Sequence, residues 1–429
     1  MRASGRLLAL LAMLGPAPLA AGGPPAPDPM PSDPVPSDPI PATVVVAFDR
    51  ERAVPLIVEG LADRASGRAV RANDPVRIAS ISKLVMGLAV MRLVDEGVVE
   101  LGADVSDYLG WRLRAPGFPE AKVTLGQLLS HRSGLRDSAG YIIPLGESLR
   151  ERLAQSDAWY PDAPPGEAPF AYANIGSAVV ASAIEAASGE RYDRLLERTV
   201  FAPLGITACT NWIGCGRETV ARAVVLYRAS GEVARDDPAD VPLFCSIPVS
   251  EGLACSLEDY VPGTNASVFS PQGGVRIGMR DLSRIGQAML RAEAGAPLSR
   301  ASWERFLSSA ARRVPGETFF CTYGLAVRTT GIPGLPCEDA LFGDGLPRIG
   351  HGGEAYGLRS GLWVNREAGT GLAFFTTAVP PRASVEEGEI APREQALVAR
   401  ALAMLGPGGA LPRESADDSA GDAPNGSRR

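Results

Sequence analysis

The sequence predicts an α+β domain, and three observations carry that prediction. Apolar, β-branched runs stand near both ends of the chain, at residues 43–48, 360–364 and 371–376. Two stretches between them, residues 80–96 and 174–187, carry apolar side chains at helical spacing and nearly all round, as in helices buried within a core. From Arg194 to Arg300 the pattern mixes helices with long loops. Strands at both ends and helices between them imply a sheet assembled from distant segments, with a mostly helical middle inserted.

The elements follow in order. Thr43-Val44-Val45-Val46-Ala47-Phe48 is β-branched and apolar, a buried strand. A second strand covers residues 54–59, with a turn at Ser66-Gly67. In residues 80–96, Ile81, Leu84, Val85 and Leu88 set the helical phase and Gly97 supplies the C-terminal stop. The helix over 174–187 ends at Gly189, and residues 393–404 form a terminal helix.

The flanks differ from this domain, which spans residues 43–405. Arg2 and Arg6 precede an apolar run from Leu7 to Leu14, and small residues follow to Gly22, the order of a secretory signal peptide over residues 1–22. The run is too short to span a bilayer, and no cysteine stands near the cleavage region for a lipid anchor. Residues 23–42, with Pro31-Ser32-Asp33-Pro34 repeated nearly intact, read as a proline-rich linker. Residues 406–429 read as a disordered tail. The chain is thus expected to be secreted or periplasmic, with no transmembrane anchor in its mature form.

A net charge of −7 with scattered arginines argues against nucleic acid as the partner. Six cysteines, with no CxxC pair and only two histidines to help, do not spell a zinc site. In an exported chain they imply disulfides, and proximity in sequence favours Cys209–Cys215, Cys245–Cys255 and Cys321–Cys337. No metal and no organic cofactor is implied.

Of 42 basic residues only Lys83 and Lys122 are lysine. Arginine cannot give up its proton, so each lysine matters as a candidate base. Lys83 lies three residues after Ser80, which puts both on one face at the start of a helix. Backbone N–H groups lack partners there and the helix dipole is positive. A nucleophile, an amine to deprotonate it and a donor for an oxyanion are supplied together. Tyr172 and Asn174, two apart before the second helix, can point into one site, the tyrosine to pass a proton and the asparagine to hold a substrate amide. His351-Gly352-Gly353 reads as a glycine-rich turn before a strand, where a substrate backbone can come close.

The order SxxK, YxN, HxG resembles the class C-like branch of the serine β-lactamase and penicillin-binding-protein superfamily. The surroundings match as well: Arg77-Ile78-Ala79-Ser80-Ile81-Ser82-Lys83, the stretch from Thr124 through Ser130-His131-Arg132-Ser133-Gly134 to Leu135, Pro164-Pro165-Gly166 before Phe170-Ala171-Tyr172-Ala173-Asn174, Phe201-Ala202-Pro203-Leu204-Gly205, and Tyr323-Gly324-Leu325. The resemblance implies a β-lactamase/transpeptidase-like fold, an antiparallel sheet flanked by helices. It makes Ser80 the acylated nucleophile, with Lys83 and Tyr172 sharing proton transfer. Asn174 would contact substrate, His351, Gly352 and Gly353 would line the far wall, and the backbone N–H groups of Ser80 and Glu354 would form the oxyanion hole. His131 is taken as structural.

One departure bears on substrate. β-Lactamases of this branch carry lysine where this chain has His351, whereas members with HxG include D,D-carboxypeptidases, D-amino-acid peptidases and esterases. Arg359 is a candidate for the missing charge. The cysteine-bearing stretches are unusual for the branch and are expected to shape the substrate entrance. The reading is therefore an exported serine hydrolase acting on amide, peptide or ester carbonyls of a small molecule or peptide, D,D-carboxypeptidase- or β-lactamase-like. The alternatives are a carboxylesterase or D-aminopeptidase of the same fold, or a non-catalytic binder of β-lactams or cell-wall fragments.

Overall fold

The computed structural model describes residues 41–236, 246–293, 295, 297–380, 390–406 and 409–413. The segment Met1–Asp38, which holds the expected signal peptide and most of the linker, falls outside them, as do Cys245 and residues 414–429 of the expected tail.

The predicted sheet is present and is built from the two chain ends. Its strands are β1 (Thr43–Asp49), β2 (Ala53–Glu59), β6 (Arg328–Thr330), β7 (Arg348–Ala355), β8 (Leu358–Asn365) and β9 (Thr370–Thr376). They run in the order β6-β7-β8-β9-β1-β2, every pair antiparallel. Strand β1 lies inside the sheet, between β9 and β2, and pairs along its whole length with β9, Thr43 facing Thr376 and Asp49 facing Thr370. Covered on both faces, β1 has no need to alternate with polar residues. Val44, Val46 and Phe48 join the main core, and Val45 and Ala47 a second cluster on the other side.

Three helices fix what lies on each face. Helix α1 (Ile81–Asp95) runs through the main core with almost every residue buried, as its all-round apolar pattern requires. Helix α3 (Met279–Arg291) lies against the sheet, where Gly286 lets the Phe48 ring come close. Helix α4 (Pro392–Ala403) covers the opposite face, packing Leu397, Val398 and Ala401 onto Trp363 and Phe374. This packing continues past Leu405 to Leu411. Helix α2 (Ile175–Ser188) is the second buried helix. A small antiparallel sheet of β3 (Val76–Arg77), β5 (Val275–Ile277) and β4 (Ala208–Thr210), in the order β3-β5-β4, ties the residues before α1 to the helical middle. Among the described residues no helix is long and apolar enough to cross a membrane.

One motif that the sequence reading named takes a different form. His351-Gly352-Gly353 is not a turn before a strand; it is the middle of strand β7. The glycines misled because strands usually avoid them. Here two are demanded by close approach. A Cβ on Gly350 would meet the Leu362 carbonyl in the neighbouring strand, and one on Gly353 would stand 2.4 Å from both the Ile78 carbonyl oxygen and Ser360 Oγ. Strand β7 thus lies hard against the turn that delivers Ser80.

Gly353→Ala should therefore cost about 2 kcal/mol of stability through overpacking. Gly352→Ala, whose added Cβ would meet only the Ser360 carbonyl at 3.7 Å and Trp363 at 3.8 Å, should melt close to the parent protein. Thermal denaturation of the two variants checks both.

Candidate active site

Ser80 stands at the first turn of α1. The chain reaches it through Ala79, held at φ 46°, a left-handed conformation that is unfavourable for a side-chain-bearing residue. The turn is pinned where Ser360 Oγ donates to the Ile78 carbonyl at 3.0 Å. One helical turn on, Lys83 is 1% exposed. Its Nζ lies 3.3 Å from Ser80 Oγ, 2.7 Å from Asn174 Oδ1 and 3.1 Å from the Gln272 carbonyl oxygen. It also sits 4.6 Å from the centre of the Tyr172 ring. The structure thus brings Ser80, Lys83, Tyr172 and Asn174 together.

The Tyr172–Asn174 segment is held from the loop that follows residue 130. The Ala171 N–H donates to the His131 carbonyl at 3.1 Å, and the Ala173 N–H donates to His131 Nδ1 at 3.2 Å. Nδ1 therefore accepts, so the ring proton resides on Nε2. The Tyr172 ring packs on His131 at 4.4 Å and stacks on Phe320 at 4.8 Å with an 8° interplanar angle. Two residues further, the Asp137 carboxylate accepts from the Asn174 N–H at 3.0 Å, Asn174 Nδ2 at 2.9 Å and the Ile175 N–H at 2.9 Å. Asp137, Phe320 and Gln272 were not singled out in the sequence. Their partners lie far away along the chain, and only the glycine turn before Asp137 hinted at a shaped loop.

His351 has little left to offer a ligand. Nδ1 donates to the Gly352 carbonyl at 2.5 Å, so the neutral ring's Nε2 accepts from the Tyr323 hydroxyl at 2.9 Å. Burial, then the nearby Lys83 charge, pulls its pKa down to about 3. Burial likewise holds His131 well below the usual imidazole range. Nor is Arg359 the spare cation the sequence suggested. It is buried and paired with the Glu354 carboxylate at 2.5 Å, because the two residues stand opposite each other across the β7–β8 ladder.

The edge of β7 supplies backbone donors. Thr329 turns its N–H away from β7, to the Ala310 carbonyl, and its carbonyl to Thr322 Oγ1. By the alternation of an antiparallel ladder, Arg328 and Thr330 face β7 and pair with Gly350 and Arg348. Beyond Gly350 the edge has no partner strand among the described residues. Gly352 and Glu354, in phase with Gly350, point their backbone groups at that open edge, beside the Ser80 turn. A cavity of about 1030 Å³ opens over it, with Tyr172, Phe319 and Phe320 in one part of its lining and Arg77, Arg235 and Tyr356 in another. The Cys321–Cys337 disulfide ties down the segment bearing the two phenylalanines and Tyr323. Cys209 is bonded to Cys215, next to Asn211 and Trp212 of the cavity lining. Cys255 is also disulfide-bonded, and its expected partner Cys245 lies outside the described residues.

Comparison with known proteins agrees with this architecture. The model of the family described as Beta-lactamase matches residues 37–397. Penicillin-binding protein 4 of Amycolatopsis lactamdurans is 28% identical over 202 residues, which are 46% of this chain and 50% of that protein. Esterase EstB of Burkholderia gladioli is 33% identical over 169 residues, 35% of this chain and 42% of its own. The chain thus matches half or less of the length of these relatives. Among solved structures, a penicillin-binding protein homologue from Pyrococcus abyssi superposes with a TM-score of 0.60 at 21% identity, covering 85% of this chain and 73% of that one. The D-amino acid amidase of Ochrobactrum anthropi SV3, in complex with D-phenylalanine, gives 0.60 at 19% identity, covering 85% and 93%. At such identities the superpositions speak for the fold.

With two histidines in the chain, nitrogen NMR of the rings is unambiguous. Both should remain neutral from about pH 8 to about pH 5, His351 as the Nδ1–H tautomer and His131 as the Nε2–H tautomer. A free ring titrates near 6.5. The unfolded chain therefore takes up protons below that pH while the folded rings do not. His351's contribution to stability is complete above about 6.5 and is lost as pH falls toward about 3, and His131's has the same sign.

Proposed function

Because the chain belongs to the beta-lactamase family, we propose that it is a serine hydrolase working through an acyl-enzyme on Ser80. The observation that carries this reading is the buried Lys83 amine, 3.3 Å from Ser80 Oγ and fixed by acceptors from two other segments. Ser80 Oγ attacks the substrate carbonyl as its proton passes to the Lys83–Tyr172 pair. The oxygen that becomes anionic is met by the N–H groups of Ser80 and Glu354, the first also favoured by the positive end of α1. The leaving group takes a proton back from the same pair, and water then releases the acyl group from Ser80. Asn174 holds both amine and substrate, while Phe319, Phe320 and Tyr172 offer an apolar wall.

For the substrate, esters and amides without a required carboxylate, the carboxylesterase or D-aminopeptidase reading, are favoured over β-lactams. The specific observation is that His351 is neutral and Arg359 is already paired with Glu354. No fixed charge then remains at either position where the sequence suggested one. Disulfides at Cys209–Cys215 and Cys321–Cys337 support an oxidising, secreted or periplasmic location.

A panel of p-nitrophenyl esters, D-amino-acid p-nitroanilides and a penicillin tests the reading. The ester or anilide should turn over faster than the penicillin. Ser80→Ala should abolish turnover with an unchanged melting temperature. Lys83→Arg, which keeps charge but cannot serve as a base, should lower kcat about 100-fold or more. Undiminished turnover in Ser80→Ala would refute the acyl-enzyme, and a penicillin turned over fastest would refute the substrate preference.

A further inference from the structure

Asp137 has no part in the chemistry just proposed, yet it governs the residue nearest the Lys83 amine. Asn174 occupies the N-cap position of α2, a 14-residue helix, but makes no side-chain cap hydrogen bond to it. An asparagine there ordinarily folds its side-chain oxygen back onto the first free N–H groups of its own helix. In this chain a carboxylate 37 residues earlier does that work. Asp137 accepts the N–H groups of Asn174 and Ile175 together with Asn174 Nδ2. All three partners are donors, so an ionised carboxylate, which only accepts, is the side chain that satisfies them all.

We propose that Asp137 is a positioning residue. By capping α2 from outside, it releases Asn174 from capping, fixes which end of its amide faces the site, and thereby sets the Lys83 amine beside Ser80. With Nδ2 held by Asp137, Oδ1 is left facing Lys83 Nζ at 2.7 Å. A flipped amide would set N–H donors against the lysine's own and an oxygen against the carboxylate. The proposal rests on the reading of Ser80 as nucleophile.

A double-mutant cycle separates this role from simple capping. The readout is the rate at which a fluorophosphonate labels Ser80, followed by intact mass. The Ser80 Oγ–phosphorus bond forms, fluoride leaves, and the Oγ proton passes to the Lys83–Tyr172 pair. Asp137→Asn, Asp137→Ala and Asn174→Ala should each slow labelling about tenfold or more. In the Asn174→Ala background, Asp137→Ala should slow it less than about twofold further. The melting temperature lost with the cap should instead be lost in both backgrounds. The pH midpoint of labelling should move in the same direction in Asp137→Asn as in Asn174→Ala, because both release the acceptor that favours the charged amine. The other groups facing that amine, Ser80, Tyr172, His131 and His351, are unchanged in these variants.

Labelling at the parent rate in the Asp137 variants would overturn the proposal. So would losses that multiply fully in the double mutant, since Asp137 would then act by another route. Should Asp137→Ala not fold, Asp137→Asn, nearly the same shape, carries the same cycle. If the parent protein is never labelled at Ser80, the nucleophile reading falls and this proposal falls with it. If the parent is labelled and the cycle is additive, the positioning role alone is refuted.

Discussion

A single buried amine holds the site together. Lys83 is 1% exposed, and a lysine so placed must be met by acceptors or by loss of its charge. Ser80 comes from one turn earlier on α1, Asn174 from the start of α2, and the Gln272 carbonyl from the loop leading to β5. Three segments drawn from between residues 80 and 272 are registered on one nitrogen. The same contacts hold the amine 3.3 Å from Ser80 Oγ, so the packing that satisfies it also sets it beside the proposed nucleophile.

The two histidines near the amine add no charge of their own. His131 and His351 are neutral through burial and through Lys83 itself. Each histidine uses its nitrogens to brace the aromatic side chains that meet at Tyr172, His131 through the Ala173 N–H and His351 through the Tyr323 hydroxyl. On the far side the glycines of β7 let a strand edge press against the Ser80 turn. The open edge of β7, with the proposed oxyanion donor of Glu354, thus lies beside the Ser80 turn.

What the sequence made legible was local. Ser80 with Lys83, and Tyr172 with Asn174, were readable because helix phase and short spacing bring them together, and the two buried helices were found to within a residue or two because their apolar periodicity is strong. β7 was read as a turn because glycine usually breaks strands, and the close contacts that demand Gly350 and Gly353 come from β8 and from the Ser80 turn. Arg359 looked available because its partner is set by hairpin register, which composition does not reveal. Asp137 was passed over, and Tyr323 was named only within a matching segment and given no role, for the same reason: their partners, Asn174 and His351, lie 37 and 28 residues away.

The central claim is that Ser80 carries the acyl group. The direct measurement is to mix the protein with a p-nitrophenyl ester, quench in acid while nitrophenol is being released, and map the tryptic peptides by mass. The acyl mass is predicted on the peptide 78–83, between Arg77 and Lys83, and absent from Ser80→Ala. An acyl group on any other peptide, or steady release of nitrophenol by Ser80→Ala, would contradict the account.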